Sequence, residues 1–167
     1  MTVGPVGPLG YSVRVAAGAA DREACFAVRK AVFVAEQQVP EDIEYDAYDA
    51  EDADTIHVLA VGADDVALGT GRLLHGASAI GKTGGDLTVG ALGRLAVRAA
   101  ARGLGVGAAL VRALEDAARR RGLAVVELHA QTHALGFYER LGYEAYGAEF
   151  LDAGIWHLAM RRMLTAS

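Results

Sequence analysis

Apolar residues along the chain switch between two periods. Residues 11–15 alternate as a short strand does. Ala24, Cys25, Val28, Ala31, Val32 and Ala35 then recur at helical spacing behind Asp21, a residue suited to cap a helix start. The spacing predicts a helix from Asp21 to about Glu36, ended before Pro40. Two apolar runs, Thr55–Gly62 and Val66–Leu74, flank an Ala-Asp-Asp turn and predict a hairpin. Leu87–Val97 reads as a long strand interrupted by Gly90 and Gly93, and interior glycines mark a bulge or a close backbone approach. Gly103–Arg121 reads as a helix with Leu104, Ala108, Val111, Leu114 and Ala118 on one face and Gly122 as its stop. A buried strand over Leu123–Ala130, a short helix over Ala134–Leu141 closed by Gly142, and strands over Tyr143–Glu149 and Ile155–Met160 complete the pattern. Helices alternate with strands and no segment repeats, which predicts one α/β (α+β) layer domain over residues 11–167. The proline- and glycine-rich residues 1–10 read as a flexible tail.

Composition narrows the function classes. At 167 residues, 53% hydrophobic and 22% charged, the chain reads as one soluble domain, and no apolar run approaches the roughly 20 residues of a membrane helix. Cys25 is the single cysteine, so no internal disulfide can form, and a reducing, cytoplasmic setting fits. On its helix face with Val28 and Val32, Cys25 reads as a small buried apolar group. The net charge of −5 excludes broad nucleic-acid binding, so an anionic ligand needs local help from basic residues or backbone amides. Ile155 and Trp156, on an end strand, either support pairing into a homodimer or cap the core.

Three glycine patterns compete for that anionic ligand. Gly76–Thr83 fits the P-loop letter for letter, but Gly84, Gly85 and a strand follow at once, so no helix is there to aim amides at phosphate. Gly103-Leu-Gly105-Val-Gly107-Ala108 satisfies the dinucleotide fingerprint, yet Arg98–Arg102 separate it from its strand and too little chain follows for two nucleotide-binding halves. The third reading uses the flanks that are present. A strand ending at Val97, a turn, Arg102-Gly103-x-Gly105-x-Gly107 and a helix form an anion site, with amides and arginine charge aimed at a pyrophosphate.

Arg102-Gly-x-Gly105-x-Gly107 resembles the acetyl-CoA-binding signature of the GNAT superfamily. Phe137-Tyr138-Glu-Arg-Leu-Gly142-Tyr143 resembles its second signature. Val32-Phe33-Val-Ala-Glu36-Gln37, His57, Ala130-Gln131 and the end from Glu149 through His157 to Met160 resemble the ElaA-like branch, so the likeness runs over roughly residues 11–163. The resemblance implies a mixed, V-shaped sheet flanked by helices, with acetyl-CoA in the gap between the Leu87–Val97 and Leu123–Ala130 strands. It implies that Leu95, Ala96 and Val97 lie along the pantetheine, and that Arg102, Gly103, Leu104, Gly105, Val106 and Gly107 hold the pyrophosphate. Gln131 and Phe137 would add contacts.

The chemistry implied is direct attack of a small-molecule or peptide amine on the thioester, with Tyr138 donating a proton to the departing thiolate and no metal. A phenol with pKa near 10 suits a thiolate of pKa about 8–9. The Leu87–Val97 strand holds no carboxylate, so candidate bases are Glu36, His57, Glu127 and His129, with Glu36 placed first. Glu36, Gln37, His57 and His157 are the candidate acceptor-side residues. Eight acids between Glu41 and Asp54 read as a solvated loop, with steering of a cationic amine as the alternative. Two other functions remain open at this stage. One is an acyl-CoA-binding regulatory protein of the same fold without turnover, and the other a nucleotide-dependent enzyme using Gly76–Thr83.

Overall fold

The computed structural model describes residues 10–164, apart from the side chain of Ile43. The expected tail, save Gly10, lies outside the described residues. Seven strands form one mixed sheet: β1 Tyr11–Val15, β2 Ile56–Gly62, β3 Ala67–Leu74, β4 Val89–Val97, β5 Val125–Gln131, β6 Glu144–Asp152 and β7 Ile155–Met163. Their order across the sheet is β1-β2-β3-β4-β5-β7-β6, and β4 with β5 is the parallel pair.

Helix α1 spans Gly18–Arg29 and runs on as a π-helical stretch over Lys30–Glu36. The short α2 (Glu41–Glu44) and α3 (Ile80–Thr83) follow, then α4 (Val106–Arg120) and α5 (Leu135–Arg140). Asp21 does not open α1 as the sequence predicts. It sits inside the first turn, and its carboxylate accepts the Ala17 amide at 3.0 Å, so the helix starts three residues earlier.

Alternation along the strands sends side chains to two faces. Val58, Ala60 and Leu73 meet Leu110, Val111 and Leu114 of α4 on one face. Leu59 and Val61 meet Cys25 of α1 on the other. Cys25 is buried, as expected, with its thiol on the Val58 carbonyl. α4 sits close because β3 presents glycines beneath it: a Cβ on Gly69 would lie 2.9 Å from Leu110 and one on Gly71 3.0 Å from Leu114. The apolar face of α4 is Val106, Leu110, Val111, Leu114, Ala117 and Ala118. Leu104, expected on that face, lies ahead of the helix and is exposed.

Both strand glycines of β4 mark what their positions predict. A Cβ on Gly90 would lie 2.9 Å from Leu73, a close approach. Just after Gly93 the partners step from Arg72↔Gly93 to Thr70↔Ala96, a bulge on β4 with Arg94 at φ 50°. The end of the sheet differs from expectation. β7 is paired on both sides, β6 is the edge, and Trp156 is half exposed rather than capping the core.

The acidic run is the largest correction. It is not simply a solvated loop. Arg29, 1% exposed, donates to Glu44 at 2.6 Å and to both Asp49 oxygens at 2.6 and 2.9 Å. Arg72 binds both Asp46 oxygens at 2.8 Å and Asp49 at 2.9 Å. Burial alone would raise the Asp49 carboxyl, but these arginines outweigh it and hold it far below the usual range. Three acids of the run thus fasten the segment after α1 to the sheet.

Candidate active site

β4 and β5 pair only from Val89↔Val125 to Leu92↔Leu128, although β4 continues to Val97 and β5 to Gln131. Beyond that point the strands part and leave a cleft of about 890 Å³. One wall carries Gly93, Arg94, Leu95 and Val97, and the other Leu128, His129 and Gln131. On this side β4 has no strand neighbour, so its edge is open to an extended ligand arm.

At one end of the cleft lie Arg102, Gly103, Gly105, Val106 and Gly107. Gly103 and Gly105 have φ of 84° and 82°, a left-handed backbone that suits glycine. α4 begins there without any side-chain cap, so its first amides remain available to an anion. A Cβ on Gly107 would lie 3.2 Å from the Phe137 ring, which packs edge-on against Tyr138. Tyr11 donates to the Leu104 carbonyl at 3.4 Å and fixes the turn from below.

Tyr138 lines the cleft from the α4 side, packed with the core. Burial pushes its phenol well above the ordinary value, so it stays protonated throughout the neutral range. Across the sheet, Glu127, His129 and Gln131 face the α1 side, since Val126, Leu128 and Ala130 face the core. Gln131 donates to Gln37 at 3.0 Å and meets His133 at 2.6 Å.

The family model described as the acetyltransferase (GNAT) domain matches residues 24–164. The uncharacterised N-acetyltransferase YjcF of Bacillus subtilis is 37% identical over 139 residues, covering 82% of this chain and 89% of YjcF. An acyl-CoA N-acyltransferase from Pseudomonas aeruginosa has a similar structure, with a TM-score of 0.73 and 33% identity over 91% of this chain and 97% of that one. Escherichia coli ElaA is also similar in structure, with a TM-score of 0.74, 26% identity and coverage of 91% and 97%. The chain belongs to the GNAT acetyltransferase family. It is an acyltransferase with the GNAT acyl-CoA N-acyltransferase fold.

Within this GNAT frame, Leu95, Val97, Arg102, Gly103, Gly105, Val106, Gly107, Gln131, Phe137 and Tyr138 come together along the cleft, with Gln37 and His157 at its other side. Four candidates stand apart. Ala96 is buried against Val28 and Val32, and the exposed Leu104 is not among the residues that line the cleft. Glu36 is ion-paired with Arg102 at 2.6 Å and does not line the cleft. His57 is buried edge-on to Phe26 of α1, outside the cleft lining, its Nδ1 without a partner, and burial lowers its pKa to about 4. Gly76–Thr83 forms two short turns in place of a phosphate-binding helix start, and Lys82 from it reaches the acyltransferase cleft.

Sequence reasoning missed Arg72, Arg94 and Asp152 in the lining; it had Glu44 and Asp46 only within the acidic run, with steering of a cationic amine as the alternative, and Lys82 only within the P-loop pattern. Arginines inside the otherwise apolar β3 and β4 were the available signal. Asp152 sits at the end of an edge strand that carries none.

Proposed function

We propose that the protein is an acetyl-CoA-dependent N-acetyltransferase acting on the amine of a small molecule or peptide by direct attack. The observation that carries this reading is the parting of β4 from β5 after Leu92↔Leu128, with the open β4 edge leading to the glycine turn at the start of α4. A pantetheine arm fits the open edge as a substitute strand, and a diphosphate fits the amides of residues 102–107 beside Arg102. The thioester then lies near the fork. Tyr138 donates to the leaving thiolate from the α4 side, although burial raises its phenol and makes it a weaker acid than the free phenol matched to a thiolate above.

Titration calorimetry with acetyl-CoA, ATP and NAD in parallel tests the cosubstrate. Binding of acetyl-CoA alone is expected, whereas binding of ATP or NAD without it overturns the reading. Free-thiol release with spermidine, kanamycin and a lysine-containing tripeptide then tests the acceptor class. Release with none of these amines rejects the proposed transfer to them.

A further inference from the structure

With Glu36 on Arg102 and His57 outside the cleft, two of the candidate bases remain on the cleft wall: Glu127 and His129. We propose that His129 is the general base that deprotonates the acceptor amine. This rests on the acetyl-transfer reading above.

Placement argues first. The β4–β5 ladder ends at Leu92↔Leu128, and His129 is the next residue on β5, so it flanks the fork where the thioester lies. Glu127 stands one pair back, opposite Ala91, where the strands are still joined. His129 and Tyr138 also occupy opposite faces of the sheet. Base and acid therefore approach the reacting carbonyl from two sides, one towards the incoming nitrogen and one towards the departing sulfur.

The ring is held. His129 meets Phe150 edge-on at 5.0 Å between centroids, and Phe150 stacks on His157 at 5.8 Å. The charged and titratable groups around it are Lys82 from α3, His157 from β7, Asp152 from β6 and Glu127 on its own strand. Partial burial lowers its pKa, helped by Lys82 and His157 and opposed by Asp152 and Glu127. These surroundings favour the neutral imidazole, the form that accepts a proton.

The balance is simple. The acceptor ammonium gives one proton to His129, and the nitrogen lone pair forms the C–N bond. The C–S pair leaves with sulfur, which takes the Tyr138 proton. The amide nitrogen passes its second proton through solvent to the Tyr138 phenolate, and His129 releases its proton to water, so one proton is released overall.

The test uses wild type, His129→Gln and Glu127→Gln with whichever of the three amines releases thiol. For His129→Gln, kcat/KM is expected to fall about 100-fold or more near neutral pH, in the range of general-base catalysis, with acetyl-CoA affinity unchanged. The acid limb of the wild-type profile, with its pKa below 6.5, should vanish in this variant, and added imidazole should restore turnover to His129→Ala. Glu127→Gln should keep the limb. Persistence of the limb in His129→Gln, or its loss in Glu127→Gln alone, overturns the proposal while leaving the acetyltransferase reading intact. Thiol release by no amine in wild type removes both.

Discussion

Glu36 and Arg102 meet at 2.6 Å beside the glycine turn at one end of the cleft, which puts a carboxylate on the arginine that the proposed function gives to an anionic cosubstrate. The neighbouring Gln37 reaches the opposite wall at Gln131, so two consecutive residues at the end of the π-helical stretch touch both sides of the cleft. Glu36→Gln frees Arg102. An exposed pair of this kind is worth about 0.2–1 kcal/mol, so acetyl-CoA should bind about 1.5- to 5-fold more tightly in the variant by calorimetry. A fall in kcat with unchanged affinity would instead return Glu36 to the role of base.

Tyr138→Phe separates binding from chemistry. The ring stays in its aromatic packing with Phe137 and Tyr143, so acetyl-CoA affinity should hold. Loss of a positioned proton donor costs about 100-fold or more in kcat. Because burial raises the phenol, no alkaline limb from Tyr138 should appear below pH 10. Equal kcat in the two proteins would leave Tyr138 a packing residue.

Much of this arrangement was legible in the chain because it is local. Strand alternation, the helical stripe of α4 and the order of turn, helix and strand around Gly103–Gly107 are written within windows of ten to twenty residues. Gly90 and Gly93 even marked the close approach and the bulge. What escaped depends on distant partners. Nothing near Asp49 announces that Arg29 and Arg72 will neutralise it. The alternation that puts His57 in the second strand, beside Arg72 on the same sheet face, does not say that Phe26 packs over it while the cleft lining stops at Arg72. The helical spacing of Ala31, Val32 and Ala35 also does not announce the change to π-helical winding at Lys30, where Val32 is the residue that ends up buried.

His57 gives a pH prediction. Its ordinary value of 6.5 falls to about 4 on burial, so the unfolded chain binds the proton more readily. The stabilising share of the neutral ring is therefore complete above pH 6.5 and is lost as pH falls from 6.5 towards 4. His57→Leu should flatten urea-midpoint stability across that window while leaving acetyl-transfer at neutral pH intact. A variant with wild-type acid sensitivity would show that other groups set it.

The buried ion cluster makes the sharpest stability prediction, since it holds the segment from Glu44 to Asp49 on the sheet. Asp49 is fully buried between Arg29 and Arg72, so Asp49→Asn leaves those guanidinium charges short of a counterion in a dry site. Breaking such a pair costs about 3–5 kcal/mol. At about 2–4 °C per kcal/mol for a domain near this size, thermal unfolding should show a clear drop in midpoint. Glu41→Gln is the matched comparison: its pair with Lys30 at 3.0 Å is exposed, and its loss should leave the midpoint nearly unchanged. Acid acts in the same direction as Asp49→Asn. The carboxyl is depressed in the folded state from its usual 3.8, so its stabilisation is present above that value and is lost as pH falls below it. In Asp49→Asn that part of the acid loss should be missing, and equal acid slopes in variant and wild type would place the acid-sensitive charge elsewhere.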